Sequence, residues 1–161
     1  MRGHTMHGQD LPEEDPLALE SQVCFALTLA SRSVIAAYRP VLEPMNLTHP
    51  QYLVMLALWE HSTLSIKELG RHLSIDSGTL SPLLKRLEGH GYIFRKRSPD
   101  DARTVKISLT EKGKELRKEA EKVPGTMMKR LGMDEAEVRA LHASMMKVIA
   151  AAQNPSDPGD A

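Results

Sequence analysis

Residues 65–110 read SIKELGRHLSIDSGTLSPLLKRLEGHGYIFRKRSPDDARTVKISLT, and the hydrophobic period changes part-way along this run. Ser65 followed three positions later by Glu68 forms a capping box, which predicts a helix start. Ile66, Leu69 and Leu73 supply that helix's inner stripe. Ser74-Ile75-Asp76 reads as a turn, with Asp76 or Ser77 capping a second helix. In that second helix Leu80, Leu83, Leu84 and Leu87 fall at i, i+3, i+4 and i+7, so this face packs inward. The helix ends over Gly89–Gly91. Beyond it the period drops to two: Val105, Ile107 and Leu109 alternate with Thr104, Lys106 and Ser108 as in a half-buried strand. Tyr92–Arg97 lies opposite, joined through Ser98-Pro99-Asp100-Asp101 as a turn.

Two short helices followed by a hairpin with a basic tip is the order of a winged helix-turn-helix. The predicted fold class is mainly α with a small β wing, extended by a helical dimerisation layer. With its leucines turned inward, the second helix presents Ser77, Thr79, Ser81, Lys85 and Arg86 outward. Short hydroxyls near a helix N-terminus approach phosphates and base edges closely, and Lys85 and Arg86 reach backbone charge or guanine. Pro82 is tolerated because it lies near the first turn. On an isolated helix such residues describe an ordinary solvated face. The adjoining hairpin changes that reading, because Arg95, Lys96, Arg97 and Arg103 cluster there, where an arginine can enter a minor groove. Asp101 is expected to pair with Arg103 and aim its guanidinium.

Outward from this core, the chain reads as one domain over residues 15–153. Residues 1–14 are expected to form a flexible arm and 154–161 a flexible tail, both poor in apolar residues. Asp15-Pro16 looks like an N-cap and first helical residue. From there a helix of roughly 27 residues, long for a globular domain, carries Val23, Leu27, Ala30, Val34, Ala37, Tyr38 and Val41 along one side and stops before Pro44. A further helix runs from near Pro50 to about His61, with Tyr52, Leu53, Leu56, Ala57 and Trp59 mostly buried. Thr110 caps a fifth helix that Pro124-Gly125 kinks or interrupts. Asp134 caps a sixth, with Val138, Leu141, Met145, Val148 and Ala152 as its apolar seam. The helices of residues 15–45 and 111–153 hold more apolar surface than the segment 65–110 needs, which predicts a dimerisation layer.

The 161 residues allow one domain with a substantial core. Net charge is zero, which argues against a generic polyanion binder. Between Ser65 and Thr110, however, nine basic residues (Lys67, Arg71, Lys85, Arg86, Arg95, Lys96, Arg97, Arg103, Lys106) stand against five acids. Nucleic-acid binding needs this local surplus rather than a basic whole. No stretch is apolar enough to span a membrane, and MRGHTMHGQDLPEEDP lacks the apolar run of a secretory leader, so a cytoplasmic location is expected. One cysteine, Cys24, excludes an intrachain disulfide and a cysteine-based zinc cage. The seven histidines show no metal-ligand spacing, and no metal or cofactor is expected.

The string Leu73–Glu88 and the wing Asp100-Asp101-Ala102-Arg103 resemble the MarR family of regulators, and the resemblance runs from the first helix to the sixth. It implies a homodimer on a pseudo-palindromic double-stranded DNA operator, with recognition helices in successive major grooves and the first, fifth and sixth helices intertwined between subunits. More narrowly, Gln22–Leu27, Tyr38-Arg39-Pro40 and Pro50–Leu53 resemble the organic hydroperoxide regulators of that family. In those proteins the cysteine matching Cys24 senses peroxide. Oxidation to sulfenic acid releases the operator, and here, with no second cysteine, the next step falls to a small-molecule thiol or the chain's own backbone. The resemblance further implies a target gene encoding a thiol-dependent hydroperoxide reductase.

A lone cysteine between Val23 and Phe25 is by itself an ordinary small apolar residue. A sensing thiol must be thiolate near neutral pH, whereas a free thiol titrates at about 8.5. With Asp15 as cap, Cys24 sits about nine residues inside its helix, too deep for the dipole to help much. The resemblance assigns two tyrosines of the partner subunit as donors to the sulfur. Tyr38 matches the first; the second position is His49, where Leu-Thr-Tyr-Pro-Gln-Tyr reads Leu-Thr-His-Pro-Gln-Tyr. An imidazole still donates to a thiolate, and an imidazolium favours it more. The alternative is that His49 caps the second helix. Two other functions compete with peroxide release. One is release by a phenolic or drug-like ligand; the other is a thiol peroxidase, for which no catalytic constellation is present.

Overall fold

The computed structural model describes residues 15–154; the expected arm at 1–14 and nearly all of the expected tail lie outside them. The chain divides into two compact units, one ending at Ala36 and one beginning at Ala37. Mainly helical with one small sheet, the fold has the winged helix-turn-helix order expected of it.

In the first unit, Asp15 caps only a local turn, its carboxylate accepting from the Leu17 N–H at 3.0 Å. A 3-10 turn over Leu19–Ser21 follows, and Gln22 then takes an extended conformation. Its side-chain amide donates to the Pro16 carbonyl at 2.7 Å, bracing the break. Helix α1 therefore starts at Val23, not Pro16, and runs to Leu42. This shortens the predicted first helix by two turns and places Cys24 in the first turn. Of the stripe expected to be internal, Val23 and Ala30 are exposed, whereas Leu27, Val34, Ala37, Tyr38 and Val41 are half-buried; off that stripe, Leu29 and Ile35 are exposed as well.

In the second unit, Thr48 caps α2 (His49–His61) through a capping box with Gln51, so His49 is the first helical residue and not the cap. The core face of α2 is Tyr52, Val54, Met55, Ala57 and Leu58, whereas Leu56, expected inside, is 41% exposed. Then comes a short strand the sequence pattern did not announce, β1 (Thr63–Ser65). Its three residues are too few to show a period, and only pairing with β3 makes them a strand. Ser65 and Glu68 form the expected capping box on α3 (Ile66–Leu73). Asp76 caps α4 (Ser77–Gly89), accepting from the Thr79 N–H at 2.7 Å. Strands β2 (Ile93–Arg97) and β3 (Val105–Leu109) make the wing, and the sheet order is β1-β3-β2, all antiparallel.

Thr110 caps α5 (Glu111–Ala120) as expected. The predicted interruption falls just ahead of Pro124, which occupies the first turn of a separate helix, α6 (Val123–Leu131). There proline's fixed φ suits a helix start and its missing N–H is not needed. Gly132 ends α6 with φ +64°, and Asp134 caps α7 (Glu135–Gln153) through a capping box with Glu137. The core gathers under α4: Leu80, Leu84 and Leu87 are fully buried with Leu58, Leu69 and Ile107. Two links tie segments distant in sequence around this core. The Tyr92 hydroxyl donates to the Met45 carbonyl at 2.7 Å, and the Trp59 indole N–H donates to the Gly113 carbonyl at 2.9 Å.

Candidate functional site

The buried leucines of α4 determine what the opposite side presents. Ser77, Thr79, Ser81, Lys85 and Arg86 are all exposed. Asp76 spends its carboxylate on the helix start, and the first-turn N–H groups hold its pKa below the usual carboxylate value. The sequence thus fixes both the axis of α4 and the face it shows.

The wing lies against the same helix. Arg95 donates from Nε to Glu88 Oε2 at 3.1 Å, tying β2 to α4. Arg97 donates to the Ala102 carbonyl at 3.0 Å across the hairpin. Asp101 does not pair with the Arg103 guanidinium as expected. Its Oδ1 accepts the Arg103 backbone N–H at 2.9 Å, and its Oδ2 accepts the Thr104 hydroxyl at 3.1 Å. A two-residue separation favours this side-chain-to-backbone turn, the usual habit of aspartate in loops. Asp101 therefore sets the path of the loop, and the exposed Arg103 side chain is left free of it. Glu88 was missed from sequence because the partner that gives it a role lies across a fold-dependent gap.

Cys24 is exposed in the first turn of α1. Its carbonyl accepts the Thr28 hydroxyl at 2.8 Å. A first-turn position is where the helix dipole favours negative charge, which corrects the deep position expected from an Asp15 cap. In the second unit Tyr38 and His49 meet with ring centroids 5.0 Å apart, and Tyr52 joins them 5.9 Å from Tyr38. Tyr52 was read from sequence only as a core residue. Burial pushes both phenols above their usual value and the His49 imidazole below its own, so at neutral pH Tyr38 keeps its proton and His49 is uncharged. Among the described residues no cluster of ligands suits a metal ion, and no helix is long and apolar enough to cross a membrane.

Residues 36–120 match the family described as transcriptional regulator SarA/Rot. The chain is 44% identical over 138 residues to the organic hydroperoxide resistance transcriptional regulator of Bacillus subtilis, covering 84% of this chain and 94% of that protein. The chain belongs to the MarR family, in its organic hydroperoxide regulator branch. Among solved structures, this MarR-family chain is similar to reduced AbfR of Staphylococcus epidermidis bound to DNA, at 29% identity and TM-score 0.71, covering 84% of this chain and 95% of that one. Overoxidised AbfR bound to DNA is similar at 32% identity and TM-score 0.67, covering 82% and 93%. These relatives are transcriptional regulators, not enzymes, which removes the thiol peroxidase reading.

Proposed function

We propose that this chain is a homodimeric, cytoplasmic repressor that binds a pseudo-palindromic double-stranded DNA operator and releases it when an organic hydroperoxide oxidises Cys24. The observation that carries the reading is an exposed cysteine in the first turn of α1 in a chain 44% identical to a hydroperoxide resistance regulator. The operator-reading set is Ser77, Thr79, Ser81, Lys85 and Arg86 on α4, with Arg95, Arg97 and Arg103 from the wing and Asp101 holding the wing loop. Arg95, committed to Glu88, serves first to hold the wing against α4. Arg103 is the wing residue with the freest reach.

In the switch, the Cys24 thiolate attacks one oxygen of the hydroperoxide. The O–O bond breaks, the sulfur is oxidised to sulfenic acid, and the departing alkoxide takes a proton to become an alcohol. A small-molecule thiol then condenses with the sulfenic acid, forming a mixed disulfide and releasing water. Tyr38 and His49 of the partner subunit donate to the sulfur in the reduced state. The dimer is held by the helices of 15–45 and 111–153 within a single working domain, 15–153.

The test replaces Cys24 by Ser, which removes the oxidisable atom with little change of volume. The variant should bind DNA as the wild type does and resist release by cumene hydroperoxide. Mass spectrometry of the treated wild type should place the added oxygen or thiol on Cys24. If Cys24→Ser is still released by peroxide, methionine oxidation becomes the better account. A second reading, release by a small phenolic ligand, has one observation in its favour. Tyr52, Leu56, Trp59, Ala120 and Pro124 line a cavity of about 380 Å³ beside Arg117. Such release would survive Cys24→Ser.

A further inference from the structure

We infer that Gln22 is a positioning residue for the Cys24 thiol: its side-chain amide holds residues 16–22 out of α1 and so keeps Cys24 in the first turn. This rests on the peroxide-sensing reading above and deepens it, assigning what sets the reactivity of that thiol.

The segment ahead of α1 has the makings of a helix and is not one. Asp15 already makes the bond of an N-cap, its carboxylate accepting the Leu17 N–H. Pro16 suits the first helical position, and Leu17, Ala18, Leu19 and Glu20 are good helix formers. Yet the backbone leaves the helical region twice, at Ala18 (φ −59°, ψ 127°) and at Gln22 (φ −80°, ψ 124°). Both φ values already suit a helix, so rotations about two ψ bonds separate this break from one continuous helix. Leu17 and Leu19 are 84% and 62% exposed, so no core draws them out of it.

The Gln22 amide supplies the local reason. Its Nε2 donates to the Pro16 carbonyl at 2.7 Å and to the Ala18 carbonyl at 3.2 Å. In a continuous helix those same two oxygens accept the backbone N–H groups of Glu20 and Gln22. The side chain thus competes with the helix for its acceptors. The Ser21 hydroxyl, at 3.0 Å from the Ala18 carbonyl, engages one of the two.

The consequence falls on the sulfur. With the break in place, the carbonyls of Leu19, Glu20 and Ser21 do not accept the N–H groups of Val23, Cys24 and Phe25. The first bond of α1 runs from the Ala26 N–H to the Gln22 carbonyl at 3.1 Å. The unpaired first-turn N–H groups form the positive end of the helix, and Cys24 is its second residue. Were residues 16–22 joined to α1, all three N–H groups would be bonded and Cys24 would lie in the third turn.

The experiment compares the full-length wild type with Gln22→Leu, which removes the amide, and with the double variant Leu19→Pro/Gln22→Leu. Proline at position 19 fits the break: the Leu19 N–H donates to no backbone carbonyl among the described residues, and Ala18 is already extended. The same proline blocks a continuous helix. Gln22→Leu should bring hydrogen-exchange protection to the Val23, Cys24 and Phe25 amides. It should slow alkylation of Cys24 by iodoacetamide about two- to fivefold near neutral pH and move the rate–pH profile to higher pH. The double variant should return both readouts to wild-type values. Unchanged alkylation in Gln22→Leu would overturn the inference, whether or not the amides gain protection. So would slowed alkylation that Leu19→Pro leaves slow, because Gln22 would then act on the sulfur by a route other than the helix start. Both readouts use neither peroxide nor DNA and so stand apart from the sensing reading. That reading fails if the wild type keeps its operator after cumene hydroperoxide, even with the alkylation pattern as expected.

Discussion

His49 occupies the first position of α2 beside Tyr38, and burial lowers its pKa from 6.5. At neutral pH it is therefore a neutral ring with one N–H to donate, not the imidazolium that would favour a thiolate most. A hydrogen bond to a charged acceptor is worth about 1.5–3 kcal/mol. If His49 gives one to Cys24 of the partner subunit, His49→Phe should slow alkylation and peroxide oxidation of Cys24 on the order of tenfold or more near neutral pH. Reduced-state DNA binding should be unaffected, and His49→Tyr should recover much of the rate. Superimposable rate–pH profiles for wild type and His49→Phe would leave His49 as a packing residue. Stability has its own sign. The unfolded chain takes up a proton at a higher pH than buried His49 does, so stability is lost as pH falls from about 6.5 through the folded value. His49→Phe should flatten that loss, which urea denaturation at stepped pH would show.

The elements owe their positions to a few close contacts between segments distant in sequence. Gly113 in α5 is the tightest of these: a Cβ there would stand 2.1 Å from the Tyr92 carbonyl oxygen, a backbone atom with little room to retreat. The Gly113 carbonyl also receives the Trp59 indole. Gly113→Ala should improve local helix propensity yet force α5 from the wing base, a net destabilisation of about 1–3 kcal/mol typical of overpacking. Thermal denaturation would measure it; a variant as stable as the wild type would mean that α5 shifts freely. Nothing in the local sequence says that Gly113 touches Tyr92. The capping residues behave oppositely. Ser65, Thr110 and Asp134 were legible because a cap and its target N–H lie within three residues of each other.

At the scale of the whole molecule, α7 and α1 each leave large apolar side chains exposed. No residue of α7 is buried, and Leu141, Met146, Val148 and Ile149 are 49%, 50%, 42% and 43% exposed. Of α1, only Leu42 is buried. Exposed apolar residues along a helix mark interaction sites, and a second copy of this chain is the occupant our functional proposal requires. Leu141→Glu with Met146→Glu should shift the protein from dimer to monomer in sedimentation and weaken operator binding, because half-sites would then bind without linkage. A dimer of undiminished affinity would place the subunit contact elsewhere.

The sequence by itself determined the helix-turn-helix, the strand pairing of the wing, most of the caps and the exposed polar face of α4. Each depends on a period or a cap spanning a few residues, and such signals survive in one dimension. Tertiary structure decided the rest. It made Thr63–Ser65 a strand by pairing it with β3, and gave Val54, Met55 and Leu58 rather than Leu56 to the core. It moved the start of α1 to Val23, because Gln22 braces a break that the Asp15-Pro16 cap pattern concealed. It also turned Asp101 to the backbone and Arg95 to Glu88. These outcomes depend on which partners the fold brings within hydrogen-bonding distance, and sequence spacing does not carry that distance.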